Sequence, residues 1–320
     1  MFTFIYCFDE NYNIQGFVSI MSLLEKVNEK INVVIVHNKK EKFSKYENLI
    51  KKHENLENLE IKSIETKDID FPNVDNNHVS EATYYRIYLD KIKFDNQFNN
   101  CIYLDADIIC LNNPIGYFQK IFAQLKNEGK PLAARTDYLK FKNEEHNDDV
   151  FIRNKLSSIN YFNAGVLLFD YQNWIKNGFF SELREIQKNY DGTLKFWDQD
   201  LLNILIDGNY VEMNHFSNYH LAADWNFPPH ITESHALFLH YQGKPKPWHI
   251  SFLNDSSTQF FQKNYRKFTE KKVYVTKSTF SRDLKGFAKL IIGLQIFKCE
   301  YPFSTLKESL KVLFTSSEIS

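Results

Sequence analysis

The run Cys101-Ile102-Tyr103-Leu104-Asp105-Ala106-Asp107-Ile108-Ile109-Cys110-Leu111 decides how the rest of the chain is read. Its first four residues are mostly apolar and read as a strand covered on both faces, as at the centre of an α/β sheet. The strand runs straight into two carboxylates one residue apart, Asp105 and Asp107, and apolar sequence resumes at Ile108. Withdrawing acids from water is costly unless something pairs with them. A divalent cation is a suitable partner, because hard oxygen ligands match Mg²⁺ and Mn²⁺. The alternative is a strand that stops at Leu104 and two solvated loop acids. Asp-x-Asp is common enough by chance to leave both readings open at this point.

Upstream, Phe2 to Phe8 reads as a strand, followed by the turn Asp9-Glu10-Asn11-Tyr12. A helix comes next, with Phe17, Ile20, Met21, Leu24 and Val27 at helical spacing. Asn32 to His37 is a second buried strand, Lys39 to Asn55 a charged amphipathic helix, and Leu59 to Ile64 a third strand. This alternation predicts a mostly parallel sheet with helices on both faces. Ligands of such sheets gather at the carboxyl ends of strands. Asp9, Asn11 and Tyr12 lie at one such end, and Asp105 and Asp107 at another. No Gly-x-Gly-x-x-Gly or Walker-type loop follows the first strand, so a nucleotide site would hold its phosphates by other means, for which a metal on paired aspartates would serve.

Ser80 to Leu89 reads as a short helix carrying Arg86, either an exposed salt-bridge residue or a ligand for diphosphate or sugar hydroxyls. Pro114 to Lys126 is a helix, and Pro131 to Ala134 a short strand leading to Arg135 and Asp137. Tyr138 to Asn160 is polar and aperiodic, a surface insertion or an active-site lid. Tyr161 to Asp170 is a buried strand opened by Asn163-Ala164-Gly165, where small residues would let backbone approach a ligand. A helix follows over Tyr171 to Tyr190, then Trp197-Asp198-Gln199-Asp200 entering another, where acids are usually caps. A strand ends at His240, before a basic loop through Gly243, Lys244 and Lys246. A histidine there is structural, or it completes a two-carboxylate metal site.

The whole chain of 320 residues suits one large α/β domain with an appendage, or two domains. A net charge of −1 gives no global attraction to nucleic acid. The charge is uneven: Gln262 to Ser320 holds 12 Lys/Arg against 5 Asp/Glu, a net +7 that leaves −8 for the preceding 261 residues. Cys7, Cys101, Cys110 and Cys299 form no Cys-x-x-Cys pair and read as free thiols in a reducing compartment. Strand-like sequence directly after Met1 and the lack of a long uncharged apolar run point to a cytosolic protein without signal peptide or membrane span.

Five stations now stand in order: Phe8-Asp9-Glu10-Asn11-Tyr12, Tyr84-Tyr85-Arg86, Leu104-Asp105-Ala106-Asp107, Phe162-Asn163-Ala164-Gly165-Val166 with Asp198-Gln199-Asp200 behind it, and His240-Tyr241-x-Gly243-x-x-Lys246-Pro247-Trp248. In these the chain resembles glycosyltransferase family eight, retaining enzymes that include bacterial lipopolysaccharide galactosyl- and glucosyltransferases. The resemblance covers about residues 2–250. It implies a GT-A fold, a single nucleotide-binding α/β domain with a mostly parallel sheet, and a UDP-galactose or UDP-glucose donor. It also implies Mn²⁺ or Mg²⁺ held by Asp105, Asp107 and His240. Asp9, Asn11 and Tyr12 would hold uridine, the backbone at Ala106 the ribose, and Gly243 and Lys246 the diphosphate. Arg86, Asn163, Ala164, Asp198 and Gln199 would surround the sugar, with Gln199 beneath the anomeric carbon and Asp137 near sugar or acceptor hydroxyls.

The acceptor expected from such relatives is an oligosaccharide or lipid-linked glycan of lipopolysaccharide, lipooligosaccharide or capsule. An inactive or hydrolytic UDP-sugar binder of the same fold is the alternative. A catalytic domain over residues 1–261 and a basic aromatic tail over 262–320 are expected. Within the tail, Leu284, Phe287, Leu290, Ile291, Leu294 and Phe297 recur at helical spacing beside Lys285, Lys289 and Lys298. The tail reads either as cover for the domain or as an interfacial helix on the anionic inner face of the cytoplasmic membrane.

Overall fold

The apolar runs over Thr3–Phe8, Ile31–His37, Asn100–Leu104 and Asn160–Asp170 form strands buried on both faces. The structure, a computed structural model, describes residues 1–64, 69, 71–72, 80–139, 149–220, 228–243 and 246–314. β1 (Thr3–Phe8) leads through a 3-10 turn (Glu10–Tyr12) into α1 (Asn13–Lys26), β2 (Ile31–His37), α2 (Ser44–Ile50) and β3 (Leu56–Lys62). A kinked 3-10 segment (Glu81–Lys91) precedes β4 (Asn100–Leu104) and β5 (Ile108–Cys110). Then come α3 (Ile115–Glu128), β6 (Ala133–Leu139), α4 (Asp149–Arg153), β7 (Asn160–Asp170), α5 (Tyr171–Lys176), α6 (Phe179–Asn189) and α7 (Trp197–Ile206). β8 (Val211–Glu212), β9 (Tyr219–His220), α8 (Pro229–His235) and β10 (Phe238–His240) complete the strands; α9 (Thr258–Thr269), α10 (Phe280–Ile292) and α11 (Pro302–Phe314) end the chain.

Seven strands form one sheet in the order β3-β2-β1-β4-β7-β6-β8, and β5-β10-β9 form a second. In the large sheet β7 runs antiparallel to both neighbours, and the other pairings are parallel. Alternate residues feed two cores. Phe4 and Tyr6 of β1 with Ile102 and Leu104 of β4 pack under α1 and α3, whereas Ile5, Cys7, Cys101 and Tyr103 face α6, α7 and the Glu81–Lys91 segment. Each fully buried aliphatic or aromatic side chain contributes about 1.5–3 kcal/mol.

Several elements differ from expectation for identifiable reasons. The helix expected over Lys39 to Asn55 is a 3-10 turn (Lys40–Phe43) and the short α2, because His37 Nδ1 captures the Lys39 N–H at 2.9 Å and Phe43 turns into the core. The helix expected over Tyr171 to Tyr190 breaks between α5 and α6, where Asn177 caps the Asn173 carbonyl at 2.8 Å and Gly178 takes φ 72°. Of the aperiodic stretch, Tyr138 and Leu139 extend β6 and α4 is helical, while 140–148 lie outside the described residues. Lys244 also lies outside them.

The boundary expected after residue 261 falls inside α9. Phe260, Phe261 and Tyr265 belong to the main core, and Gln262 bonds the Pro247 carbonyl and both backbone groups of Tyr274. The main core therefore runs through α9. α10 docks on a 3-10 turn (Ile250–Phe252), where Gly286 lies so close that a Cβ would stand 2.6 Å from Ser251 Cα. Leu290 joins Ile250 and Leu313 in a small core with Phe287 at its margin. Leu284, Ile292, Leu294, Phe297 and Phe303 point to solvent, so the single apolar face expected for the tail is divided between the protein and water. Among the described residues no helix is long and apolar enough to cross a membrane.

Candidate active site

At the end of β4 the chain leaves the sheet, and the Asp105 N–H donates to the Gly165 carbonyl of β7 at 2.9 Å. It re-forms as β5, which pairs with β10 so that Ile108 stands opposite His240. That register brings the imidazole to the two acids. His240 Nε2 lies 3.3 Å from Asp107 Oδ1 and 3.6 Å from Asp105 Oδ2. One ligand atom from each of the three residues lies within 4.8 Å of the others. Two hard oxygens and one imidazole nitrogen converging on one point suit Mn²⁺ or Mg²⁺. The residues fit the group, and Asp107, only 11% exposed, is not a solvated loop acid.

Lys246 Nζ donates to Asp107 Oδ2 at 2.5 Å and to the Tyr241 carbonyl at 2.6 Å. Burial acts to raise the Asp107 carboxyl, but Lys246 and His240 outweigh it and hold it well below the usual carboxylate range. Burial likewise opposes the Lys246 charge, and Asp107 raises it above the ordinary lysine value.

Arg86 is buried and engaged by the protein itself. Its terminal nitrogens donate to the Ala164 carbonyl at 2.5 Å and to Asp105 Oδ1 at 3.2 Å, and its plane lies 3.9 Å from the centre of the Tyr103 ring. Nε is aimed at the Thr83 carbonyl at 3.3 Å while lying 2.6 Å from Asp198 Oδ2, a charge contact. Asp198 also accepts from Thr83 Oγ1 at 2.6 Å. Burial pushes its carboxyl up to about 6 against the pull of Arg86. Asp198 is therefore no simple helix cap. Asp200 keeps part of that role, accepting from the Phe196 N–H at 2.9 Å, and also receives Arg153, Asn154 and Tyr161.

The corner at Asn163 closes the other side. Gln199 Oε1 accepts from the Ala164 N–H at 2.9 Å, and its amide nitrogen reaches Tyr161 Oη at 3.4 Å. The glycine of this corner serves a different purpose from the one expected. A Cβ on Gly165 would stand 2.3 Å from His240 Cε1, so the space belongs to the imidazole and not to a ligand. Asp137 approaches His220 Nδ1 at 3.3 Å. Burial depresses His220 to about 4, and His220 and Arg135 hold Asp137 low against its own burial.

At the carboxyl end of β1 Asp9 Oδ1 caps the Asn11 N–H at 2.9 Å, and Tyr12 meets Trp248 edge-on. Gly243 takes φ 67° with open space around it, a backbone that L residues rarely adopt. One cavity of about 560 Å³ is lined by every site residue singled out from the sequence except Asn11, whose amide turns back to Asp9 Oδ2 at 3.3 Å. Thr83, Tyr103, Phe196 and Trp197 also line it, and Asn218 and His220 support it from behind. Tyr103 was within reach of sequence reasoning, two residues before Asp105 on the same strand face, and donates to it at 2.8 Å. Asn218 and His220 carry no local signal, since only the β9–β10 pairing brings them in.

An α/β sheet of this order with an acid–acid–histidine cluster lining one cavity is of the GT-A type of fold. The sequence profile described as Glycosyl transferase family 8 matches residues 3–251, and the chain belongs to that family. It is 24% identical over 271 residues to the lipopolysaccharide 1,2-glucosyltransferase of Escherichia coli, spanning 80% of this chain and 76% of that one. It is also 24% identical over 186 residues to the lipopolysaccharide 1,3-galactosyltransferase of Salmonella typhimurium, spanning 57% and 53%. The fold matches that of the galactosyltransferase LgtC, solved with donor and acceptor sugar analogs, at a TM-score of 0.67 and 20% identity, over 84% of this chain and 96% of that one.

Proposed function

We propose that this glycosyltransferase moves galactose or glucose from a UDP-sugar to an oligosaccharide or lipid-linked glycan of the lipopolysaccharide type, with retention of configuration and with Mn²⁺ or Mg²⁺ on Asp105, Asp107 and His240. The observation that carries the reading is the convergence of those three side chains, Lys246 and Gln199 on one cavity. A screen of purified protein against several UDP-sugars with Mn²⁺, measuring UDP release with and without acceptors, tests it. Absence of release from every UDP-hexose would remove the reading in favour of an inactive or hydrolytic binder.

A bound divalent ion would stabilise the negative charge that develops on the departing diphosphate. Lys246, already cationic and buried beside Asp107, adds charge on the same side. Asp9 and Tyr12 would hold the uridine, the Ala106 backbone the ribose and Gly243 the diphosphate. Asn163, Ala164, Asp198 and Arg86 would frame the sugar, and Asp137 its hydroxyls or those of the acceptor. Retention requires a covalent intermediate or attack on the face from which UDP departs. Gln199 is an amide with its oxygen already engaged by the Ala164 N–H, a poor nucleophile, which supports same-face attack with the leaving phosphate accepting the acceptor's proton.

Two results are expected. The product of an α-linked UDP-hexose is α-linked, read from the anomeric proton signal, and a β linkage contradicts retention. Gln199→Ala lowers kcat about 10²-fold by misplacing the sugar while UDP affinity stays within about threefold; loss of UDP binding would place Gln199 elsewhere.

The tail supports a cytoplasmic enzyme held peripherally on the inner membrane face. Its exposed apolar residues lie beside Lys285, Lys289 and Lys298. Basic residues near an anionic surface contribute about 1 kcal/mol each, screened by salt. Full-length protein is expected to sediment with anionic vesicles at low salt, to release at high salt and to ignore neutral ones. Because a cut near Phe261 would sever α9, the comparison is a chain with Ile292, Leu294 and Phe297 changed to serine. Equal sedimentation of both would remove the tail as the anchor.

A further inference from the structure

Asn218 stands outside every motif and is fully buried at the end of a 3-10 turn (His215–Asn218). Its orientation follows from a chain of hydrogen bonds that starts at a backbone amide. The Gly165 N–H can only donate, and it reaches Asn163 Oδ1 at 2.9 Å. Asn163 thereby turns its nitrogen to Gln242 Oε1 at 2.8 Å. The Asn218 atom 2.9 Å from Asn163 Oδ1 must then be the amide nitrogen. Its oxygen faces His240 Nδ1 at 3.1 Å and can only accept. Nδ1 therefore carries a proton, and Nε2 is the ring nitrogen turned to Asp105 and Asp107. Arg135 secures the residue from behind, donating to the Asn218 carbonyl at 2.6 Å.

A ring free to turn, or held through its other nitrogen, would withdraw Nε2 from the cluster. We infer that Asn218 is a positioning residue: the relay Gly165–Asn163–Asn218 holds the Nδ1–H of His240 and so keeps Nε2 turned to the two acids as the nitrogen that would meet a divalent ion. Outer partners of this kind orient metal-bound histidines in general. The inference rests on the reading of Asp105, Asp107 and His240 as a cation site.

The test uses full-length protein labelled with ¹⁵N-histidine and freed of metal by a chelator, with the His240 signals assigned by their loss in His240→Gln. Long-range ¹H–¹⁵N correlation is expected to show His240 protonated at Nδ1. Asn218→Leu, similar in shape but without hydrogen bonds, should open the Nδ1 proton to solvent exchange and weaken Mn²⁺ binding, measured by electron paramagnetic resonance, about 10–100-fold. Asn218→Asp forfeits the bond to Asn163 but keeps an acceptor for Nδ1–H, and should keep that proton protected. Wild-type protein without a proton on Nδ1 overturns the inference, whatever the variants do. So does Asn218→Leu with unchanged exchange of the Nδ1 proton and unchanged Mn²⁺ affinity. Wild-type protein with a protected Nδ1 proton and no Mn²⁺ binding would instead remove the cation reading and leave the relay standing.

Discussion

Asp107→Asn is expected to lower sugar transfer about 10³-fold, and excess EDTA should abolish transfer by the wild type until Mn²⁺ is restored. The size follows from the several kcal/mol that a metal ion contributes to a developing negative charge. Asparagine keeps the volume and an acceptor for Lys246 while removing the charge that draws in the cation. Alanine would be a poorer choice. Asp107 and Lys246 are 11% and 8% exposed, and stripping one partner from a buried pair costs about 3–5 kcal/mol of stability. That loss would confuse unfolding with loss of the ion. UDP release and Mn²⁺ titration on the same sample separate the two. Full activity in excess EDTA would falsify the metal assignment.

Gly165→Ala is expected to be nearly as severe. The added methyl would stand 2.3 Å from His240 Cε1, 2.7 Å from its Nδ1 and 3.0 Å from Asn163 Oδ1. Gly165 is not among the residues with positive φ, so space and not backbone freedom reserves the position for glycine. The ring has little room to yield, since Nδ1 is bonded to Asn218 and His220 packs edge-on at 5.3 Å between centroids. Overpacking of this kind costs about 1–3 kcal/mol of stability. A ring displaced from the cluster should also lose about 100-fold in Mn²⁺ affinity. Thermal melting and Mn²⁺ titration measure the two effects, and wild-type affinity in a folded Gly165→Ala protein would show that the imidazole is not a ligand.

The strands were legible because β1, β2, β4 and β7 are runs buried on both faces, and such burial leaves an unbroken apolar signature. Their directions were less so: Tyr161 to Asp170 reads the same whether it runs with its neighbours or against them. The acid pair was legible as chemistry, yet its environment was not. That Lys246 neutralises Asp107, or that Arg86 ties Asp105 to Asp198, depends on contacts across the sheet that no local pattern encodes. Asn218 and His220 were invisible for the same reason. Gly165 was noticed for smallness but assigned the wrong neighbour, because sequence tells that a Cβ is missing and not what fills its place. In the tail, spacing placed the apolar residues on a helix and could not divide them between Ile250 and solvent.

The strand order also sets the lengths of chain that pairing must close. β1, β2 and β3 are consecutive in the chain and adjacent in the sheet, so their pairing closes short loops at modest entropic cost. β4 enters beside β1 only after the intervening segments, and β7 must then pair with β4 in the reverse sense. β10 arrives later still, joining β5 from far along the chain. Contacts of such separation are slow to form. A nascent chain thus exposes Asp105 and Asp107 well before His240 exists to meet them, and the cluster is complete only once β10 has joined β5.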